Sequence, residues 1–264
     1  MKIINTHAHI IKKPAEYNSD GKISDLIYDM NRGGVSKSII ISLWDHTPDI
    51  DYSLEELFEI AKDNRFGVVY TVNLDKNLKQ QLKEVESFFE GGLIKGVKVL
   101  LGYQSVIPND KKLYPFYNLC IKYDYPVIFH TGDTLGSEAK LIYSHPLNID
   151  SLAVEMPKLK IIIAHLGNPW IIDSAEVIYK NKNVYGDVSG LFLSSQIKDR
   201  RYYNFILKKV NELIAYAGGD KLLFGTDFPL VDSKSYINFV KSLDLTEKER
   251  EFAFYKNAEK LFKL

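Results

Sequence analysis

Short, nearly unbroken apolar runs recur along this chain between longer stretches of helical period, and that alternation constrains the fold more than any other feature. Ser38-Ile39-Ile40-Ile41 and Ile161-Ile162-Ile163-Ala164 are typical. Such runs suit strands covered on both faces, as in a parallel sheet. The pattern predicts strands at residues 2–7, 37–43, 66–72, 96–101, 126–130, 160–165, 184–187 and 222–226. The gaps carry apolar stripes at helical spacing, for example Leu78, Leu82, Val85 and Phe89. Gly33-Gly34 can stop the first helix. Ser53 with Glu56, and Thr246 with Glu249, read as capping boxes. About eight βα units in 264 residues is the size of a single-domain α/β (β/α)8 (TIM) barrel. A doubly wound open sheet is the rival architecture.

Composition narrows the function. Lys plus Arg equals Asp plus Glu at 34 each, so the chain lacks the basic excess that general nucleic-acid binding requires. No apolar run approaches the ~20 residues that cross a bilayer. The single cysteine, Cys120, cannot form an internal disulfide, and residues 1–7 show no signal-peptide pattern. The expectation is a cytoplasmic protein with a small-molecule substrate, without nucleic-acid or membrane partners. Seventeen Tyr and 14 Phe are more aromatic side chains than a barrel core needs, and the excess could serve a homodimer interface.

The chemistry gathers at strand ends. His7 and His9 close the first run, His130 the fifth and His165 the sixth, and Asp227 follows the eighth. In a parallel barrel these carboxyl ends converge on the face where such folds keep their active sites. Side chains two apart on a strand point the same way, so His7 and His9 can share one ion. A nitrogen from His130 and an oxygen from Asp227 would complete a set suited to zinc, and also to manganese, iron or cobalt. Taken singly, an H-x-H pair is usually incidental and a Thr-Asp-Phe-Pro stretch is a turn; together they point to a metal centre.

Asn5-Thr6-His7-Ala8-His9, Pro126-Val127-Ile128-Phe129-His130-Thr131-Gly132, residues 159–167 and Leu223-Phe224-Gly225-Thr226-Asp227-Phe228-Pro229 resemble the amidohydrolase-related family. This is the branch that includes aminocarboxymuconate-semialdehyde decarboxylase. The resemblance implies a metal-bearing barrel with His7, His9, His130 and Asp227 as ligands. It implies that His165 is an acid/base or polarising group beside a single ion, or a ligand in a two-ion site. Two-ion members carry a carbamate on a fourth-strand lysine, and Lys98 occupies that strand. Lys98 would then bridge two ions, or bind substrate or a carboxylate as a cation. The resemblance favours one ion.

The leading functional expectation is a metal-dependent hydrolase of a small amide, lactone or ester, with metal-activated water and Asp227 moving the proton. The alternative is a metal-dependent non-oxidative decarboxylase of a small unsaturated or aromatic acid, with His165 or Asp227 moving a proton at carbon. A metal-free barrel used for binding is the third reading. Trp44, His46, Lys98 and Tyr103 are candidate substrate contacts. Asp187 and Ser189, at the seventh strand, read more naturally as hydrogen-bonding residues of the barrel rim than as catalytic groups.

Overall fold

The computed structural model describes residues 1–12, 21–43 and 51–264. Eight parallel strands, β1 (Ile4–Ala8), β2 (Lys37–Ile41), β3 (Phe66–Thr71), β4 (Val97–Val99), β5 (Val127–Phe129), β6 (Ile161–Ile163), β7 (Val184–Asp187) and β8 (Leu222–Leu223), pair in sequence order. The last strand returns to the first: Thr6 N–H donates to Phe224 O at 2.8 Å and Asp227 N–H to His7 O at 2.9 Å. The molecule is therefore the (β/α)8 barrel that the sequence predicts, not an open sheet. Helices α1 (Ile23–Gly33), α2 (Leu54–Ile60), α3 (Leu78–Glu90), α4 (Tyr114–Tyr123), α5 (Leu141–Ser144), α6 (Asn148–Glu155) and α7 (Ile171–Lys180) are interleaved with the strands. They are followed by α8 (Arg200–Ala217), α9 (Ser233–Lys241), α10 (Glu247–Glu251) and α11 (Asn257–Phe262). Gly34 ends α1 in the left-handed region at φ 71°, and both capping boxes form. Among the described residues, no helix is long and apolar enough to cross a membrane.

Two apolar layers share the strands. Val68, Val97, Val99, Val127, Phe129, Ile161, Ile163, Val184 and Leu222 face outward and pack with helical residues such as Leu26, Val85, Phe116, Leu152 and Ile206. The alternate residues Ile39, Ile41, Val69, Ile128, Ile162, Tyr185 and Leu223 face inward. They form a second cluster with Ile4 and with Ala258, Leu261 and Phe262 of α11, which plugs the amino-terminal end. Period-two alternation explains the split. It also predicts what stands above the inner cluster: Thr71, Lys98, His130, Asp187 and Asp227 continue the inward parity of their strands.

Strand β1 departs from that parity. Ile4 points inward, yet Ala8 and Ile10 belong to the outer layer. A register shift between Asn5 and Ala8 accounts for the change, because one irregular residue turns every later side chain to the other face. Asn5 holds the shifted segment. Its Oδ1 accepts from His7 N–H (3.2 Å) and Thr226 N–H (3.1 Å), while Nδ2 donates to Thr226 Oγ1 at 2.9 Å. The shift aims His7 and His9 into the barrel.

Candidate metal centre and active site

The carboxyl-terminal end of the barrel holds a cavity of about 310 Å³ lined by His7, His9, Thr71, Lys98, Tyr103, His130, His165 and Asp227. Leu43, Leu100, Leu135, Phe228, Pro229 and Leu230 form an apolar wall. The predicted strand-end residues therefore meet at one place. Their rings run in a continuous series: His9 to His7 at 5.4 Å between centroids, His7 to His165 at 4.9 Å, His165 to His130 at 5.0 Å and His130 to Tyr103 at 5.0 Å. Trp44 and His46 lie outside the described residues.

Within the series, one group faces a common point. A nitrogen of His7, a nitrogen of His9 and a carboxylate oxygen of Asp227 lie within 4.8 Å of one another. His7 Nε2 is 3.6 Å and His9 Nε2 3.5 Å from Asp227 Oδ1. The other nitrogen of each ring is already committed. His9 Nδ1 is 3.0 Å from Ile41 O, an acceptor, so that nitrogen carries the hydrogen. His7 Nδ1 is 2.9 Å from Asp187 Oδ2. Two Nε2 lone pairs and a carboxylate oxygen thus converge, which suits a divalent cation and is repulsive without a positive charge. Lys98 Nζ supplies one such charge, 3.4 Å from His7 Nε2. His130 lines the same cavity but stands outside that group among the described residues. Its Nε2 donates to Asp133 O at 3.0 Å, leaving Nδ1 as its lone-pair nitrogen.

Burial dominates the electrostatics. It lowers His7 and His165 well below the ordinary imidazole range, brings His9 to about 4 and His130 to about 3, and Lys98 adds to each depression. All four rings are neutral near pH 7, the state in which imidazole binds metal. Burial also pushes the Asp227 carboxyl up, opposed by Lys98. Lys98 is pushed down by burial and held partly up by Asp187 and Asp227.

Backbone shape completes the site. His165 and Leu166 take φ of 60° and 46°, and Asp227 takes φ of 54°. Such values are costly for residues with a Cβ and tend to gather at functional sites. By strict alternation from Ile162, His165 would point outward; the left-handed turn returns it to the cavity. Gly190, at φ 61°, sits where a Cβ would overlap His165 Nδ1 and come within 2.9 Å of Asp227 Oδ2. At Gly225 a Cβ would lie 2.9 Å from the Cβ atoms of both His7 and Ser189.

Other residues of the strand-following loops separate cleanly. Tyr103 lines the cavity, and its hydroxyl accepts from Leu135 N–H at 2.9 Å, so its own hydrogen remains available. Gln104 instead braces the loops, accepting from Leu74 N–H and donating to Val72 O. Arg200 and Arg201 open α8 exposed to solvent. His145 lies against Trp170, its ring tilted by 46° at 4.7 Å between centroids. Asp187 and Ser189, which the sequence placed on the rim, are buried beneath the histidines. Inward parity from Tyr185 was the signal that could have found Asp187.

With this geometry in hand, comparisons place the chain. Two gamma-resorcylate decarboxylases are similar to it: one from Polaromonas sp., 24% identical over 231 residues, and one from Rhizobium sp., 24% identical over 216 residues. These matches cover 72% and 67% of this chain, and 66% and 62% of those enzymes, so the matched region spans less than two thirds of each relative's length. Among solved structures, an uncharacterized TIM-barrel protein from Bordetella bronchiseptica superposes with a TM-score of 0.78 at 19% identity, covering 100% of this chain and 99% of that one. A zinc-bound amidohydrolase from Burkholderia multivorans gives 0.75 at 16% identity, covering 100% of each chain. A 2,6-dihydroxybenzoate decarboxylase from Rhizobium gives 0.72 at 19% identity, covering 99% and 98%. The sequence model of the family described as Amidohydrolase matches residues 51–264, a span that holds Lys98, His130, His165 and Asp227 but begins after His7 and His9. The chain belongs to the amidohydrolase family.

Proposed function

We propose that this protein is a metal-dependent, non-oxidative decarboxylase of a small aromatic or unsaturated acid. The observation that carries the reading is the mixed lining of the cavity, in which Lys98, imidazoles and a carboxyl group stand beside leucines, Phe228 and Pro229. A planar acid fits such a space with its ring against the apolar wall and its polar groups toward the ion site. The apolar wall also strips water from a carboxylate, which raises its energy relative to neutral carbon dioxide. The names of the two curated relatives add support. Hydrolysis of an amide, lactone or ester, the first expectation from the sequence, is the less supported reading, because both of those relatives are named as decarboxylases.

His7, His9 and Asp227 would hold one divalent ion, with zinc the first candidate. His130 would join through Nδ1, or through Nε2 if the ring turns away from Asp133 O. Lys98, as a free ammonium beside His7 Nε2, fits a one-ion site; a two-ion site would need its carbamate. Bound there, the ion would supply Lewis-acid, charge-neutralising chemistry toward an acidic substrate. Lys98 adds positive charge beside that site, and Tyr103 has a hydroxyl hydrogen to donate. Asp227, whose carboxyl is pushed up by burial, or His165 once its Nε2 has taken a proton from a hydroxyl of the acid, delivers a proton to the carbon bearing the carboxylate. The bond to the carboxyl carbon then breaks, its electron pair restores the ring or double bond, and carbon dioxide leaves.

The test is to load purified protein with zinc or manganese and offer carboxyl-¹³C-labelled hydroxybenzoates and unsaturated acids. Labelled carbon dioxide trapped from at least one acid is the expected result. Acid release from lactones or esters, with no carbon dioxide from any acid, would replace this reading with hydrolysis.

A further inference from the structure

Beneath the cavity floor, one hydroxyl touches three functional side chains. Ser189 is fully buried. Its Oγ lies 3.0 Å from His7 Nδ1 and 3.0 Å from His165 Nδ1, and it donates to Asp187 Oδ1. Asp187 is nearly as buried, and both its oxygens are engaged. Oδ2 faces His7 Nδ1 at 2.9 Å, and Oδ1 also accepts the backbone N–H groups of His165 and Ser189, each at 3.0 Å.

The hydrogen atoms can be assigned by elimination. A serine hydroxyl has one hydrogen, and here it goes to Asp187, which only accepts. Ser189 Oγ can then only accept from the two rings. His7 Nδ1 must carry a hydrogen, shared between Asp187 Oδ2 and Ser189 Oγ. His165 Nδ1 must carry one too, shared between Ser189 Oγ and Ser189 O at 3.1 Å. Both rings are left with Nε2 as the lone-pair nitrogen. His7, His165 and Asp187 also place three ligand atoms close together, but the hydroxyl sits within hydrogen-bond reach of all three. The cluster is therefore a hydrogen-bonding hub and not a second ion site. Gly190 lets the β7 loop approach this closely, since a Cβ there would overlap His165 Nδ1.

We infer that Asp187 and Ser189 are positioning residues that fix the tautomers of His7 and His165 together, making the first a metal ligand through Nε2 and the second a base through Nε2. The inference rests on the proposed metal centre, but it can be read without catalysis. Long-range ¹H–¹⁵N spectra of ¹⁵N-histidine-labelled, metal-free protein should show both rings with the hydrogen on Nδ1. In Asp187→Asn, whose amide can donate to His7 Nδ1, the His7 pattern should switch to the Nε2–H form. Zinc affinity, measured by chelator competition, should fall about 10–100-fold, as for other partners of metal-bound histidines. In Ser189→Ala the carbonyl of residue 189 still accepts from His165 Nδ1, so that tautomer should hold, while both rings lose the hydroxyl they share: their ¹⁵N signals should shift and broaden, and kcat should fall while KM holds. If Asp187→Asn does not fold, Ser189→Ala decides alone. Folded variants whose histidine ¹⁵N signals and zinc affinity match the parent's would overturn the inference, whether or not the enzyme decarboxylates anything. Altered tautomers in a protein that only hydrolyses esters would leave it standing and remove the decarboxylase reading instead.

Discussion

The two ends of the barrel are built from the same strands and obey opposite rules. At the amino-terminal end, Ile4, Val69, Ile128, Tyr185 and Leu223 close on Leu261 and Phe262 of α11. Toward the carboxyl-terminal end, the same five strands offer His7, Thr71, His130, Asp187 and Asp227. One end buries apolar surface and gains stability from it. The other buries imidazoles, carboxyls and an ammonium, whose desolvation opposes folding. Stability and chemistry are thus separated along the barrel axis, and a substitution at one end should leave the other's property nearly intact.

That separation can be broken in graded steps. The largest effect is expected from His7→Ala or His9→Ala, which should strip the ion and take activity to background while the protein stays folded; elemental analysis beside circular dichroism checks both. Full metal occupancy in both variants would remove the ligand assignment. Next, Phe262→Ala should cost about 3–5 kcal/mol in denaturant unfolding, as large-to-small core changes do. Its metal content and kcat at low temperature should match the parent, and loss of metal in this variant would show the two ends to be coupled. Lys98→Met is the exception that tests the separation: it should abolish turnover and also lower the stability of the metal-free protein by about 3–5 kcal/mol, because Asp187 and Asp227 lose their buried positive partner; an unfolding midpoint above the parent's would mean that the buried ammonium opposes folding more than it offsets those carboxyls. The smallest effect belongs to Thr246→Ala. It removes the α10 capping box, in which Thr246 Oγ1 accepts from Glu249 N–H at 3.2 Å, and should cost about 1 kcal/mol with kinetics unchanged.

The fold was largely legible in the sequence. The β-branched runs are short and buried on both faces, so hydrophobicity alone marks them, and the observed strands fall within the predicted runs, except that β1 starts two residues later and ends one residue later than its run. The meeting of His7, His9, His130, His165 and Asp227 was legible too, because a parallel barrel leaves strand ends nowhere else to converge. The orientations were not. His7 and His9 plainly share a face, but which face depends on a shift near Asn5, and Asn5 only reveals its part once Thr226 lies beside it. His165 reaches the cavity through a left-handed turn at a histidine and a leucine, residues that give no local sign of it. Asp187 and Ser189 were visible as polar residues at and just past the end of a strand; their work depends on partners on β1 and after β6, which no local pattern reveals.

The seam that joins β8 to β1 has a temporal consequence. Asn5 and Thr226, which hydrogen-bond across it, are separated by 221 positions along the chain. His7 and Asp227 flank that bond, so a chain emerging from the ribosome carries two of the proposed donor groups about 200 residues before the third is made. Loading of the proposed ion would therefore be an act of the closed barrel and not a guide to its assembly, and a nascent chain still lacking β8 would have no complete centre with which to compete for metal.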